Sequence, residues 1–281
     1  MDFIKIEHLS HVFRGADENE KDFKALDDVN LTINKGEFVA VIGVNGSGKS
    51  TLAKHLNGLL LPTEGSCYVD GIKVDDSDNI WKVRQKVSMV FQNPDNQIIA
   101  TVVEDDVAFG PENMGLPREE IRERVEFALK SLHIDHLRHM APHLLSGGQK
   151  QLTAIAGAIA MRTNCIVLDE PTAMLDPQGR IAVMRALQEL HEKYKMTIII
   201  ITHFMEEAAK ADRIIVMDGG RVVSDGTPAA VFGDRTGLAK LGLEVPLSVD
   251  IAARLRQRGV KLPDDVFEPQ QLAAALKDIV N

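Results

Sequence analysis

The sequence predicts an α/β fold in which a mostly parallel β-sheet carries helices on both faces. Two observations predict it. Four short, largely apolar runs, at residues 38–42, 165–168, 197–201 and 213–217, are rich in β-branched residues. They are too short for core helices and read as strands buried on both faces. Between them lie longer stretches with helical apolar spacing, and strands that alternate with helices pair in parallel through crossover connections.

In chain order, two β-rich segments come first, residues 3–7 and 29–33. The strand at 38–42 runs into a glycine-rich loop, and a helix follows with apolar residues at Leu52, Leu56, Leu59 and Leu60. Residues 81–92 read as a strand entered from a short helix. The character changes after Pro94. Residues 101–140 look helical, with Pro117 opening a charged amphipathic segment at 118–132. Residues 94–160 thus read as an inserted helical subdomain, and Ser146-Gly147-Gly148 introduces an Ala- and Ile-rich helix at about 149–161. A helix at about 178–194 joins the strands at 165–168 and 197–201. Past Thr227 glycine and proline become frequent (Pro228, Gly233, Gly237, Gly242, Pro246), and two helical patterns follow, Leu247/Ile251/Leu255 and Leu272/Leu276/Ile279. The expected division is a main domain at 1–226 and a small helical appendage at 227–281.

Composition bounds the function. The chain has 281 residues, 44% hydrophobic and 26% charged, as an ordinary globular protein does. No apolar run approaches the roughly 20 residues of a membrane-spanning helix. The N-terminus has neither the basic start nor the apolar stretch of a signal peptide, so a cytoplasmic location is expected unless a partner holds the chain at a membrane. A net charge of -9 argues against a nucleic-acid partner, for which a basic footprint is expected. The two cysteines, Cys67 and Cys165, are distant in sequence and lie in apolar surroundings, so neither a disulfide nor a metal site is expected.

Three motifs carry chemistry. Gly43-Val-Asn-Gly-Ser-Gly-Lys-Ser50 fits G-x-x-x-x-G-K-[ST], and it lies after a buried strand and before a helix, where the motif works. Glycines let backbone N–H groups turn around phosphate oxygens, and the helix N-terminus adds partial positive charge. The expected phosphate-binding residues are Gly43, Asn45, Gly46, Ser47, Gly48, Lys49, Ser50 and Thr51. Lys49 should reach the β- and γ-phosphates, and the Ser50 hydroxyl should bind Mg²⁺. The second motif is Cys165-Ile-Val-Leu-Asp-Glu170, a strand ending in two carboxylates. Asp169 is placed to complete the Mg²⁺ shell beside Ser50. Glu170 points elsewhere, because consecutive residues diverge, and suits polarising an attacking water. The third is Leu145-Ser-Gly-Gly-Gln149, a hydroxyl and glycine N–H groups at a helix start. Such a start can serve as a second anion site, but Ser-Gly-Gly alone reads by default as an N-cap with a flexible turn.

Together these motifs resemble those of ABC-type ATPases, and the match runs over roughly residues 3–225. The phosphate loop, Gln92, Leu145-Ser-Gly-Gly-Gln149, Leu168-Asp-Glu170, Ala173-Met-Leu-Asp176 and His203 stand in that family's order. The resemblance implies a P-loop, RecA-like core with an N-terminal antiparallel β subdomain, and ATP and Mg²⁺ as ligands. It implies a head-to-tail pair in which each ATP lies between one phosphate loop and the other subunit's LSGGQ. Ser146, Gly147, Gly148 and Gln149 then bind the partner's nucleotide, and Asp176 contacts the opposing phosphate loop. His203 holds the γ-phosphate. Gln92 senses Mg²⁺ and water and links the site to a transmembrane partner. The adenine stacks on an aromatic residue near the N-terminus, Phe13 by preference and Phe23 as the alternative. Two departures stand out: Leu152, followed by Thr153, where Arg is common, and Ala173 in place of a common Ser. Neither removes a group expected to touch phosphate, so both predict a tuned rate.

Val90-Phe-Gln-Asn-Pro-Asp-Asn-Gln97, Val103-Glu-Asp-Asp-Val-Ala-Phe-Gly110, Met174-Leu-Asp-Pro177 and the C-terminal extension are similar to the ATPase subunits of energy-coupling factor transporters. That likeness implies a second, homologous ATPase subunit, a membrane coupling protein and a separate membrane protein that captures a vitamin or transition-metal ion. It places the chain at the cytoplasmic face of the membrane as a peripheral subunit, with the extension contacting its dimer partner. A non-transport ABC ATPase, in DNA repair or protein assembly, is the alternative. The acidic run Glu104-Asp-Asp106 reads equally as a partner surface and as a solvated first helical turn.

Overall fold

The computed structural model describes residues 2–15, 21–75, 77–263 and 266–280. The chain begins with two long strands, β1 (Asp2–Phe13) and β2 (Phe23–Asn34), then β3 (Phe38–Ile42) and helix α1 (Lys49–Leu56). β4 (Glu64–Val69), β5 (Ile72–Lys73), α2 (Ser77–Arg84) and β6 (Val87–Val90) follow. Three helices come next, α3 (Val103–Asn113), α4 (Arg118–Ser131) and α5 (Gly147–Ala160). The second half of the sheet alternates β7 (Cys165–Asp169), α6 (Pro177–Tyr194), β8 (Thr197–Ile201), the short α7 (Met205–Ala208), β9 (Arg213–Asp218) and β10 (Arg221–Gly226). The extension holds α8 (Pro228–Gly233), α9 (Arg235–Lys240), α10 (Leu247–Gln257) and α11 (Pro269–Val280).

These elements build two sheets. The six-stranded sheet has the order β10-β9-β3-β8-β7-β6, parallel throughout except for the β9–β10 hairpin at one edge. The four-stranded sheet, β2-β1-β4-β5, is antiparallel. The parallel strands have the apolar composition that burial on both faces demands. On β3, Phe38, Ala40 and Ile42 enter a core shared with the helices, while Val39 and Val41 enter a second core under the antiparallel sheet. On β8, Ile198 and Ile200 face the first core and Ile199 and Ile201 the second. α3, α4 and α5 pack on one another, and α5 also rests on α6 and β6.

The strands at 3–7 and 29–33 are longer than their sequence patterns indicate. β4, β5 and β10 have no counterpart among the expected strands. The extension divides in two: Val231, Phe232 and Leu238 join the larger core, whereas Ala252, Val266 and Leu272 form a small core of their own. Cys67 and Cys165 are free and buried, and burial pushes the Cys67 thiol up to about 12.

This topology positions the site. Loop 43–51, Gln92, Asp169 with Glu170, and His203 all lie at the carboxyl ends of parallel strands, β3, β6, β7 and β8 respectively. That is the edge where open α/β sheets bind ligands.

Candidate active site

The loop after β3 is shaped by backbone that only glycine tolerates. Gly48 has φ 100°, and a Cβ there would lie 2.6 Å from the Ala25 carbonyl oxygen and 2.9 Å from Leu26 Cδ2. Gly48 also caps α1 with no side-chain bond, which leaves the first-turn N–H groups of Lys49, Ser50 and Thr51 free to meet an anion. Lys49 is buried, and its Nζ donates to the carbonyls of Gly43 (2.8 Å) and Val44 (3.0 Å). Burial pulls its pKa below the ordinary lysine value, and the negative charges of Glu170 and Asp169 oppose that shift. The ammonium is therefore held inside the loop, ready for a stronger acceptor than a carbonyl. Ser47 Oγ is buried and has no hydrogen-bond partner in the protein. A phosphate oxygen in the loop would satisfy it.

The two carboxylates diverge. Ser50 Oγ donates to Asp169 Oδ1 at 2.9 Å, and burial raises the Asp169 pKa, opposed by that hydrogen bond. A hydroxyl beside one desolvated carboxylate suits Mg²⁺, which takes one or two carboxylates together with substrate phosphates. Among the described residues no group of three or more His, Cys, Asp and Glu could form a cage for another metal. Glu170 turns away with φ 48°, in the left-handed region that a side chain rarely adopts. Its Oε2 accepts from Gln92 Nε2 at 3.1 Å and lies 3.5 Å from His203 Nδ1. Gln92 thus meets Glu170, with no hydrogen bond to the Ser50–Asp169 pair. Gly43, Asn45, Glu170 and His203 line one cavity of about 580 Å³, whose far wall is Gly242 to Val245 of the extension.

The LSGGQ segment is a helix start, as its composition indicates. Ser146 and Gln149 form a reciprocal capping box on α5: Gln149 N donates to Ser146 Oγ at 3.3 Å, and Ser146 N donates to Gln149 Oε1 at 2.9 Å. A Cβ on Gly147 would sit 3.4 Å from Leu175 Cδ2, and one on Gly148 3.1 Å from Gly179 Cα. The start of α5 therefore abuts the start of α6, which Asp176 caps by accepting from Gly179 N at 2.6 Å. Among the described residues no hydrogen bond or ion pair joins 146–149 to loop 43–51. Large apolar side chains stand exposed around this junction: Leu144, Met174 and Ile181.

Phe13 and Phe23 sit opposite each other at the β1–β2 edge, both exposed. Only Phe13 is tied toward the phosphate loop. Its ring packs edge-on against His11, His55 Nε2 lies 3.2 Å from His11 Nδ1, and His55 Nδ1 lies 2.7 Å from the Thr51 carbonyl. Of the departures, Leu152 and Thr153 are buried in α5, and Ala173 N donates to the Glu170 carbonyl in a tight turn. In the acidic run, Asp106 accepts from the backbone N–H of Ile99 and Ala100, and Glu104 lies near Arg138 and His139. Sequence reading passes over His11, His55, Arg180 and Glu207. Each is a lone polar residue without a motif, and at least one of its partners comes from a distant segment.

Comparison with known proteins agrees with this geometry. The family model for ABC transporter matches residues 26–173. The energy-coupling factor transporter ATP-binding protein EcfA1 of Clostridium novyi is 52% identical over 273 residues, 97% of each chain. The structure of cbiO1 from Clostridium perfringens, described as part of the ABC transporter complex cbiONQ, is 38% identical with a TM-score of 0.76, and the match covers 91% of this chain and 99% of that one. The ATP-binding cassette MJ0796, solved as a dimer bound to ADP and Pi, is 33% identical with a TM-score of 0.72, over 80% of this chain and 98% of that one. The chain that folds a phosphate loop, paired carboxylates and an LSGGQ helix start onto one such sheet belongs to the ABC transporter ATPases, and within them to the ATP-binding subunits of energy-coupling factor transporters.

Proposed function

We propose that this ATPase is one half of a head-to-tail pair that drives a membrane importer of a vitamin or transition-metal ion from the cytoplasmic face. The observation that carries this reading is the split site. Glu170, Gln92 and His203 converge beside the phosphate loop, while the second anion-binding helix start, Ser146–Gln149, packs against the start of α6 and, among the described residues, makes no hydrogen bond or ion pair with that loop. Within one chain the second site serves no nucleotide. Across a pair it completes the first, and exposed Leu144 and Met174 supply apolar surface at the junction that the partner would cover.

On this reading the N–H groups at the start of α1 and the Lys49 ammonium bind the β- and γ-phosphates. Ser50 and Asp169 would hold Mg²⁺, which would supply positive charge to neutralise the phosphates. Glu170 orients the attacking water and takes its proton at Oε2, the oxygen already held by Gln92 and faced by His203. Ser146, Gly148 and Gln149 close on the partner's γ-phosphate, and Asp176 meets its loop. Phe13 stacks on adenine, favoured over Phe23 by its link through His11 and His55 to α1. A groove of about 240 Å³ beside Gln97, rimmed by exposed Ile99 and Phe109, would receive the transmembrane coupling protein. The extension at 227–281 would contact the second ATPase subunit.

Glu170→Gln tests the central assignment. The variant should lose about 100-fold or more in turnover, as loss of a general base does. It should keep MgATP and elute as a stable ATP-bound pair in gel filtration. Turnover near that of the unmodified chain would exclude Glu170 as the base.

A further inference from the structure

Two turns leave neighbouring strands at the active edge. One follows β7 and runs from Glu170 through Thr172 and Leu175 to Asp176. The other follows β8 and runs through Thr202 to His203 and Phe204. A single buried carboxylate joins them. Glu207, on α7, is 5% exposed and accepts from Thr172 Oγ1 at its Oε1 and from Thr202 Oγ1 at its Oε2, both at 2.6 Å. Both threonines are themselves buried. The Thr202 hydroxyl in turn accepts from Phe204 N at 3.0 Å, which commits its own proton to Glu207. Arg180 makes a second tie between the same turns, with Nε donating to the Leu175 carbonyl at 3.2 Å and its guanidinium 3.9 Å over the Phe204 ring.

A carboxylate is an expensive group to bury, and burial does raise the Glu207 pKa, opposed by the two threonine hydroxyls, Arg180 and His203. An apolar side chain would pack α7 without that cost. What only a carboxylate supplies is two acceptor oxygens at a fixed spacing, here aimed at two turns. One hydroxyl is two residues beyond Glu170, and the other immediately precedes His203. We propose that Glu207 is a positioning residue for hydrolysis, setting the distance between the Glu170–Asp176 turn and His203 so that the water-orienting group and the phosphate-facing histidine move together. This rests on the reading of Glu170 and His203 given above.

The test uses the full chain in its assembled ATPase complex. Glu207→Leu, Thr172→Val and Thr202→Val are compared by kcat, KM for ATP, binding of a fluorescent ATP analogue and melting temperature. We expect Glu207→Leu to lower kcat by about tenfold or more, the scale of two charge-assisted hydrogen bonds, while KM and analogue binding stay within about twofold. Glu207→Gln, which keeps one acceptor, should fall between Glu207→Leu and the unmodified chain. Combining Thr172→Val with Glu207→Leu should add little to the loss, because both remove the same tie. If Glu207→Leu does not fold, the two threonine variants decide: each should lower kcat without moving KM. Unchanged kcat in the folded variants overturns the proposal, as does a loss of kcat matched by an equal loss of nucleotide binding. Glu170→Gln is run in parallel. Normal turnover there overturns the underlying site assignment, whereas an inactive Glu170→Gln beside fully active Glu207 variants overturns the positioning role alone.

Discussion

His55 sits at the centre of the least conspicuous part of the site. It is fully buried on α1, one turn beyond Thr51, whose carbonyl can only accept, so Nδ1 of His55 carries the proton and Nε2 is an acceptor facing His11. Burial lowers its pKa from the ordinary value of 6.5, so the folded protein resists a proton that the unfolded chain takes up. The sign follows from linkage: below about pH 6.5 the unfolded state binds more protons, and stability falls with pH until the folded-state pKa is reached. Melting temperature should therefore drop between pH 7 and pH 5, and His55→Leu should make that slope shallower. Equal slopes in the two proteins would show that other groups carry the acid sensitivity. The sequence makes Lys49, Ser50, Asp169 and Glu170 legible because local backbone geometry gives each of them its job. It hides His55 and Glu207, whose meaning depends on partners such as His11 and Thr172, 44 and 35 residues away.

At the scale of elements, the same contrast separates central strands from edge strands. β3, β7 and β8 are buried on both faces, so nearly every residue must be apolar and the run stands out in the sequence. β4 buries Cys67 and Val69, leaves Ser66 and Tyr68 half-buried and opens on exposed Glu64 and Gly65, while β10 is largely exposed, so neither shows a continuous pattern. The phosphate loop belongs between these cases: its residues are legible, but its fit against β2 is not. Gly48 approaches Ala25 and Leu26 of that strand too closely for any Cβ. Gly48→Ala should cost about 1–3 kcal/mol, from the left-handed backbone and the clash together. It should also weaken nucleotide binding, because α1 must shift for the methyl to fit. Thermal melts and a titration with a fluorescent ATP analogue check both. An unshifted melting temperature would mean that the loop moves off β2 without penalty.

For the whole molecule, the extension is both a cover for the active edge and a surface turned outward. Gly242 to Val245 line one cavity with Val44 of the phosphate loop, Glu170 and His203, and a Cβ added at Gly242 would lie 3.6 Å from Val44 Cγ1. Beyond them α10 buries Ser248, Val249 and Ala252, so in the helical pattern Leu247/Ile251/Leu255 the first two side chains are exposed, Leu247 at 68%, and Leu255 is half-buried. Apolar residues repeated every fourth position on the outside of a helix make a docking stripe, and the dimer contact proposed above supplies its occupant. Because these side chains are exposed, replacing them should leave the single chain's stability within about 0.5 kcal/mol. Leu247→Asp with Ile251→Asp should instead weaken association with the second ATPase subunit by about tenfold or more, since each places a charge in an apolar contact. Sedimentation velocity without nucleotide reads this contact apart from the ATP-bridged one, and Val223→Asp on exposed β10 serves as a surface control. Association equal to the control would detach the extension from the pair, leaving its wall over Glu170 and His203 as its tie to hydrolysis.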